Sequence, residues 1–130
     1  MSNVRKDISS AVKLTKRLGG KKIKFIILYG SYAKGEQTPL SDIDIAVYYN
    51  GSKEERFKFR IEILGNLNDK FDIQTFQDLP LYIQKEIISN GEILYQKNYS
   101  EIFDIFIKTI KNFKNFKPRL DIYYSDREMK

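Results

Sequence analysis

The sequence predicts an α/β (α+β) protein: one small mixed β-sheet with helices packed on it. Three observations point there. Four short runs, 23–29, 43–49, 71–76 and 92–96, have the length and the apolar, β-branched and aromatic content of strands. Around them lie stretches whose apolar residues recur at i, i+3 and i+4, the period of a helix. Glycine, proline and Asn-Gly signals separate the two kinds of segment. At 130 residues the chain has the size of one domain, expected over residues 1–117, with a tail over 118–130.

Composition narrows the class. Charged residues make up 31% and hydrophobic residues 42%, a balance that suits a soluble globular protein. No apolar run approaches the roughly 18 residues of a membrane span. The start, MSNVRKDISS, lacks the apolar stretch of a signal peptide, and a cytoplasmic location with no membrane contact is expected. The chain has no cysteine, which excludes disulfides and thiolate metal sites, and no histidine, which removes imidazole from every mechanism. The formal net charge of +6 suits a polyanionic partner. The lysines are scattered rather than clustered, however, which favours a solvated surface over a direct nucleic-acid face.

The elements follow in order. Residues 4–18 form the first helix, with Val4, Ile8, Ala11, Val12, Leu14 and Leu18 on one face and Gly19-Gly20 as its stop. Residues 23–29 are a strand whose continuous apolar run implies burial on both faces. Tyr32 and Ala33 start a short helix that Gly35 ends, and Glu36 to Leu40 lead to the strand 43–49. Asn50-Gly51 is a turn, and Ser52-Lys53-Glu54-Glu55 matches a capping box. The helix it opens carries the stripe Phe57, Ile61, Leu64 and Leu67, to about Asn68. Residues 71–76 alternate as a strand, with Asp72 opposite Phe71 and Ile73. Asp78 reads as a cap for a helix over 80–90, where Leu81, Tyr82, Ile87 and Ile88 are apolar and Asn90-Gly91 closes the element. Residues 92–96 are a short edge strand. The last helix covers 100–117, and Pro118 ends it. Its face, Ile102, Phe103, Phe106, Ile110, Phe113 and Phe116, is wider than one small sheet covers; it serves either as ordinary core or as a docking surface for another chain.

The chemistry concentrates between Lys24 and Tyr49. Two apolar strands flank a glycine-containing loop, and Asp42 and Asp44 open the second strand. Residues i and i+2 of a strand share a face, which puts these carboxylates roughly 6.5–7 Å apart at Cα. Carboxylates that close repel unless a cation lies between them, and hard divalent ions such as Mg²⁺ take oxygen ligands. Gly30 lets the backbone approach a ligand, and a helical turn from Ser31 to Lys34 presents free N–H groups to an anion. Lys34 stands either within reach of a phosphate or in solvent. Ser41 is placed to brace the loop by bonding to nearby backbone.

The pattern Gly30-Ser31, Gly35, Ser41-Asp42, Asp44 has the spacing G-S-x(3)-G-x(5)-S-D-x-D. It resembles the signature of the DNA polymerase β-like nucleotidyltransferase superfamily. The resemblance implies that superfamily's fold, with Gly30, Ser31 and Ser41 at the nucleotide and a third carboxylate on a neighbouring strand. Asp72 is the best-placed candidate; Asp69 lies in the turn before its strand and Asp78 after it. Asp42, Asp44 and Asp72 would then be both the catalytic and the metal-holding residues, for two Mg²⁺ ions, with ATP as substrate.

Among small single-domain members the likeness is to the minimal nucleotidyltransferase antitoxins, encoded beside all-helical HEPN toxins, which are RNases. It includes Gly91, Leu94 and Tyr95 in a G-x-x-L-Y pattern, and Phe113, Phe116 and Pro118 after an amphipathic helix. Asn115 stands where an acidic residue is usual. The resemblance implies transfer of AMP from ATP to a tyrosine of the toxin, within a hetero-oligomer. Two other readings stay open: a nucleotidyltransferase acting on a small molecule or an RNA end, and a non-catalytic subunit that masks its partner.

Overall fold

The computed structural model describes residues 4–128, with side chains described through Lys114. Its elements are α1 (Val4–Gly19), β1 (Ile23–Tyr29), α2 (Ser31–Lys34), β2 (Ile43–Tyr49), α3 (Lys53–Leu64), β3 (Phe71–Thr75), α4 (Leu81–Asn90), β4 (Glu92–Gln96) and α5 (Tyr99–Glu128). The four strands form one mixed sheet in the order β3-β2-β1-β4. β1 is antiparallel to both β2 and β4, whereas β2 and β3 are parallel. A parallel pair needs a crossover, and α3 supplies it.

The sheet carries a core on each face, which explains the unbroken apolar run of β1. Ile23, Ile26 and Leu28 join Ile8 and Ala11 of α1 and Phe59 and Ile63 of α3 on one side. Phe25 and Ile27 join Ile87 of α4 and Ile102 of α5 on the other, with Phe76 beside them. Phe25 meets the rings of Phe76 and Phe106 edge-on, at centroid distances of 5.1 and 5.8 Å. Helices thus cover both faces, and β3 and β4 are the edges. On the free edge of β3, Arg60 Nε donates to the carbonyl of Ile73 at 2.6 Å.

Several local expectations hold. Ser52 and Glu55 form the reciprocal capping box at the start of α3. Gly91 closes α4, and β4 is an edge strand. Others are corrected. Of the expected stripe, Leu64 and Leu67 pack against the core, but the buried residues of α3 are Phe59 and Ile63, while Phe57 and Ile61 are 61% and 51% exposed. Both sets satisfy the helical period; position relative to the sheet chose between them. Asp78 does not cap α4, whose N-cap Pro80 has no side-chain cap bond. Instead its carboxylate accepts from Arg56 Nε and Nη2 at 2.9 and 2.7 Å and from Thr75 Oγ1.

The last helix also differs from expectation. α5 continues past Pro118 to Glu128, a run of 30 residues. A proline inside a helix removes one i→i−4 bond, here the one to Lys114, and the helix continues without it. At ~1.5 Å per residue α5 is about 45 Å long, while a seven-residue strand spans about 23 Å. The broad apolar face divides accordingly. Ile102, Ile105 and Phe106 pack on the core, whereas Tyr99, Phe103 and Ile107 are 71%, 51% and 37% exposed. Phe116 and the tail residues Tyr123 and Tyr124 lie outside the described side chains. No described helix is long and apolar enough to cross a membrane.

The two faces of α3 give a direct test. Ile63→Ala is expected to destabilise the fold by about 2–5 kcal/mol, because it opens a cavity under α3. Ile61→Ala is expected to stay within about 0.5 kcal/mol of the parent. Urea unfolding of the pair checks the assignment.

Candidate active site

The site is assembled where β1 ends and β2 and β3 begin. In the sheet register Tyr29 pairs with Asp44, and Asp44 pairs with Asp72. Alternation along each strand puts these three side chains on one face, at the rim of the Phe25 and Phe76 core. Asp44 and Asp72 are both half-buried. The parallel β2–β3 pairing therefore holds two carboxylates side by side. Asp42 is exposed and lies one residue before β2, which starts at Ile43. It does not open the strand as the i, i+2 reading expects. Its charge nonetheless acts on Asp44.

The electrostatic consequence falls on Asp44. Burial, then the charge of Asp72, then that of Asp42, push its carboxyl up to about 6 from an ordinary 3.8. The Tyr29 hydroxyl is pushed above the usual phenol range by burial, then by the charges of Asp44 and Asp72, so it stays neutral. Asp72 has one orienting contact, from Gln74 Nε2 to its Oδ1 at 3.0 Å. Arg60 stands behind β3 on the Ile73 carbonyl.

The loop between β1 and β2 closes over this pair. Gly30 has φ +72° and ψ −152°, a conformation that side-chain-bearing residues rarely adopt. A Cβ built on it would lie 2.3 Å from Asp44 Oδ2. The backbone at Gly30 is thus pressed against a carboxylate of the site. α2 follows at once, Ser31–Lys34, and ends at Gly35 in the left-handed region, φ 72° and ψ 21°. Ser41 braces the loop as expected: its Oγ accepts from Thr38 N at 2.9 Å, and its N–H donates to Thr38 O at 3.0 Å. Lys34 Nζ is engaged by Glu86 of α4 at 2.6 Å.

The donor set suits a hard divalent cation. All three aspartates offer oxygen, and the chain has no softer histidine or cysteine ligand. Burial raises Asp44 most, and the repulsion from Asp72 and Asp42 that adds to it is the kind a bound cation relieves. Among the described residues no three carboxylates already converge closely enough to hold an ion. Asp44 and Asp72 are brought together by the register, and Asp42 is the outlying member. Asp69 is exposed in the turn before β3, and Asp78 is committed to Arg56. Reading the sequence singled out neither Tyr29 nor Gln74. The second was within reach, since Gln74 stands two residues from Asp72 in the same strand and must share its face.

Two outcomes follow from this geometry. Gly30→Ala is expected to displace Asp44 or the loop, lowering the melting temperature and removing nucleotide-dependent activity, whereas Gly35→Ala meets no neighbour within 4 Å, costs only the backbone strain of its left-handed φ of 72°, and keeps measurable activity at a lower melting temperature. For Asp44 the folded carboxyl titrates above its unfolded value. Between pH 3.8 and about 6 the unfolded chain gives up a proton that the folded one keeps, so stability falls as pH rises through that window. Without divalent cation, Asp44→Asn is therefore expected to melt higher than the parent above pH 6 and at the same temperature below pH 3.8, a difference that melting curves against pH would reveal.

Known proteins resemble this chain in sequence and in fold. Residues 12–100 match the family described as polymerase beta, nucleotidyltransferase. A protein of Methanocaldococcus jannaschii, MJ1547, named as a protein adenylyltransferase, is 40% identical over 99 residues, or 76% of each chain. A chain from a toxin–antitoxin complex crystallised with AMP-PNP superposes with a TM-score of 0.75 at 20% identity, covering 92% of this chain and 98% of that one. A chain from a complex of tri-AMPylated Shewanella oneidensis HEPN toxin with MNT antitoxin superposes with a TM-score of 0.71 at 17% identity, covering 95% and 98%. With its strand-borne aspartates, its Gly30 loop and this match over most of its length, the chain belongs to the polymerase β nucleotidyltransferase family.

Proposed function

We propose that this protein is a Mg²⁺-dependent protein adenylyltransferase antitoxin: it transfers AMP from ATP to a tyrosine of a HEPN toxin and so silences it. The observation that carries the reading is the alignment of Asp44 with Asp72 under the Gly30 loop. It occurs in a chain 40% identical to a relative named as a protein adenylyltransferase. The likeness to chains from toxin–antitoxin complexes supports the choice of partner.

The chain's residues divide the work. The Gly30 backbone and the first N–H groups of α2 receive the β- and γ-phosphates, as free helix-start donors do. Asp42, Asp44 and Asp72 would hold the Mg²⁺, which when bound neutralises triphosphate charge and makes an attacking hydroxyl more acidic. The toxin's tyrosine oxygen attacks the α-phosphorus in line. One P–O bond forms, the bond to the β-phosphate oxygen breaks, and pyrophosphate leaves. Asp72 Oδ2, the oxygen that Gln74 does not occupy, receives the phenolic proton. Positioning and charge compensation carry such a transfer, with little covalent work left for the protein. Lys34 reaches a phosphate only by leaving Glu86.

The exposed stripe Tyr99, Phe103 and Ile107 on α5 is the surface we assign to partner docking, with Lys108 and Lys111 beside it. Phe106 is core, and Phe113 is half-buried with Lys85 over its ring, so neither is a clean probe of docking. Phe103→Asp is the appropriate probe.

Intact-mass spectrometry tests the reading. The product of the neighbouring gene is incubated with the protein, ATP and Mg²⁺. A gain of one or more AMP units is expected, absent with Asp42→Asn or Asp44→Asn and reduced with Phe103→Asp. A stable complex without mass gain would favour masking, and neither outcome would point to an RNA or small-molecule acceptor.

A further inference from the structure

We infer that Gln74 is a positioning residue of the active site: its side-chain amide sets the orientation of the Asp72 carboxylate, leaving one oxygen directed to substrate and cation. The inference rests on the reading of Asp72 as a member of the site. Asp72 and Gln74 project from the same face of β3, both half-buried, and Gln74 Nε2 donates to Asp72 Oδ1 at 3.0 Å. This is the hydrogen bond that Asp72 accepts among the described residues.

The neighbourhood explains why the amide turns that way. In the register Gln74 lies opposite Ala46, which is fully buried and carries no polar side-chain atom. The β2 neighbour therefore gives Gln74 no side-chain partner, and the next polar acceptor along its own face is Asp72. On the far side Asp72 lies opposite Asp44, a like charge that repels it. A neutral donor on one side and a carboxylate on the other bias the Asp72 side chain toward a single arrangement. A cationic donor in place of Gln74 would also hold Asp72, but its charge would reduce the attraction for a cation. An amide orients the carboxylate and leaves its charge intact. Partners that orient metal-holding groups in this way are typically worth 10- to 100-fold in metal affinity or activity.

The test uses the full chain. Gln74→Met and Gln74→Leu both remove the donor at similar volume. Mn²⁺ binding in the presence of AMP-PNP is followed by electron paramagnetic resonance, with circular dichroism and melting curves to check the fold. Folded variants are expected to bind Mn²⁺ about 10- to 100-fold more weakly than the parent. The loss should appear in kcat and in the Mn²⁺ requirement while KM for a saturating toxin stays close to that of the parent. Folded variants with parental Mn²⁺ binding would overturn the inference, and so would loss of the fold in both, which would make Gln74 a packing residue. Parental protein that binds no Mn²⁺, or whose binding ignores Asp42→Asn and Asp44→Asn, would instead overturn the reading of the site itself.

Discussion

Two carboxylates that repel each other are held side by side because the β2–β3 register leaves them nowhere else to go. Ile43, Ile45 and Val47 on β2 and Phe71, Ile73 and Thr75 on β3 point into one core and are buried. A slip of one residue would move that whole set to the opposite face. The hydrophobic register is therefore worth more than the repulsion between Asp44 and Asp72, and it fixes their pairing. Burial first, and then the charge of Asp72, push the Asp44 carboxyl up to about 6. Burial and like charge together mark groups retained for chemistry more often than for stability.

Other features serve to keep this pair in place. The capping box at Ser52 starts the crossover helix that makes a parallel neighbour of β3. Arg60 occupies a carbonyl on the outer edge of β3, one residue past Asp72. Gly30 lets the preceding loop lie against Asp44 where any side chain would collide. Gln74 secures the Asp72 side chain from within the same strand. The far half of the molecule has a different task. α5 uses one face to complete the core around Phe25 and leaves Tyr99, Phe103 and Ile107 uncovered.

Much of this was legible in the sequence. The strands β1 and β2 matched their expected bounds, because each holds an apolar run of five residues that ends at a turn signal, Gly30 after β1 and Asn50-Gly51 after β2. The Gly30, Ser31, Gly35, Asp42 and Asp44 spacing resembles the signature of the family that residues 12–100 match. The resemblance implied a third carboxylate on a neighbouring strand, for which Asp72 was better placed than Asp69 or Asp78, and Asp72 lies in register with Asp44.

Local pattern determined element type, turn chemistry and the candidate carboxylates, because these depend on a few neighbouring residues. Only the tertiary structure decided which of two periodic stripes on α3 is buried, since Phe57–Ile61 and Phe59–Ile63 have the same spacing and differ only in where the sheet lies. Only it released Asp78 from a capping role, by bringing Arg56 from a helix 22 residues earlier. It divided the aromatic face of α5 between core and solvent, because the extent of cover depends on the size of the sheet. It also placed Tyr29, Asp44 and Asp72 in one row, through pairings between strands that lie apart in the chain.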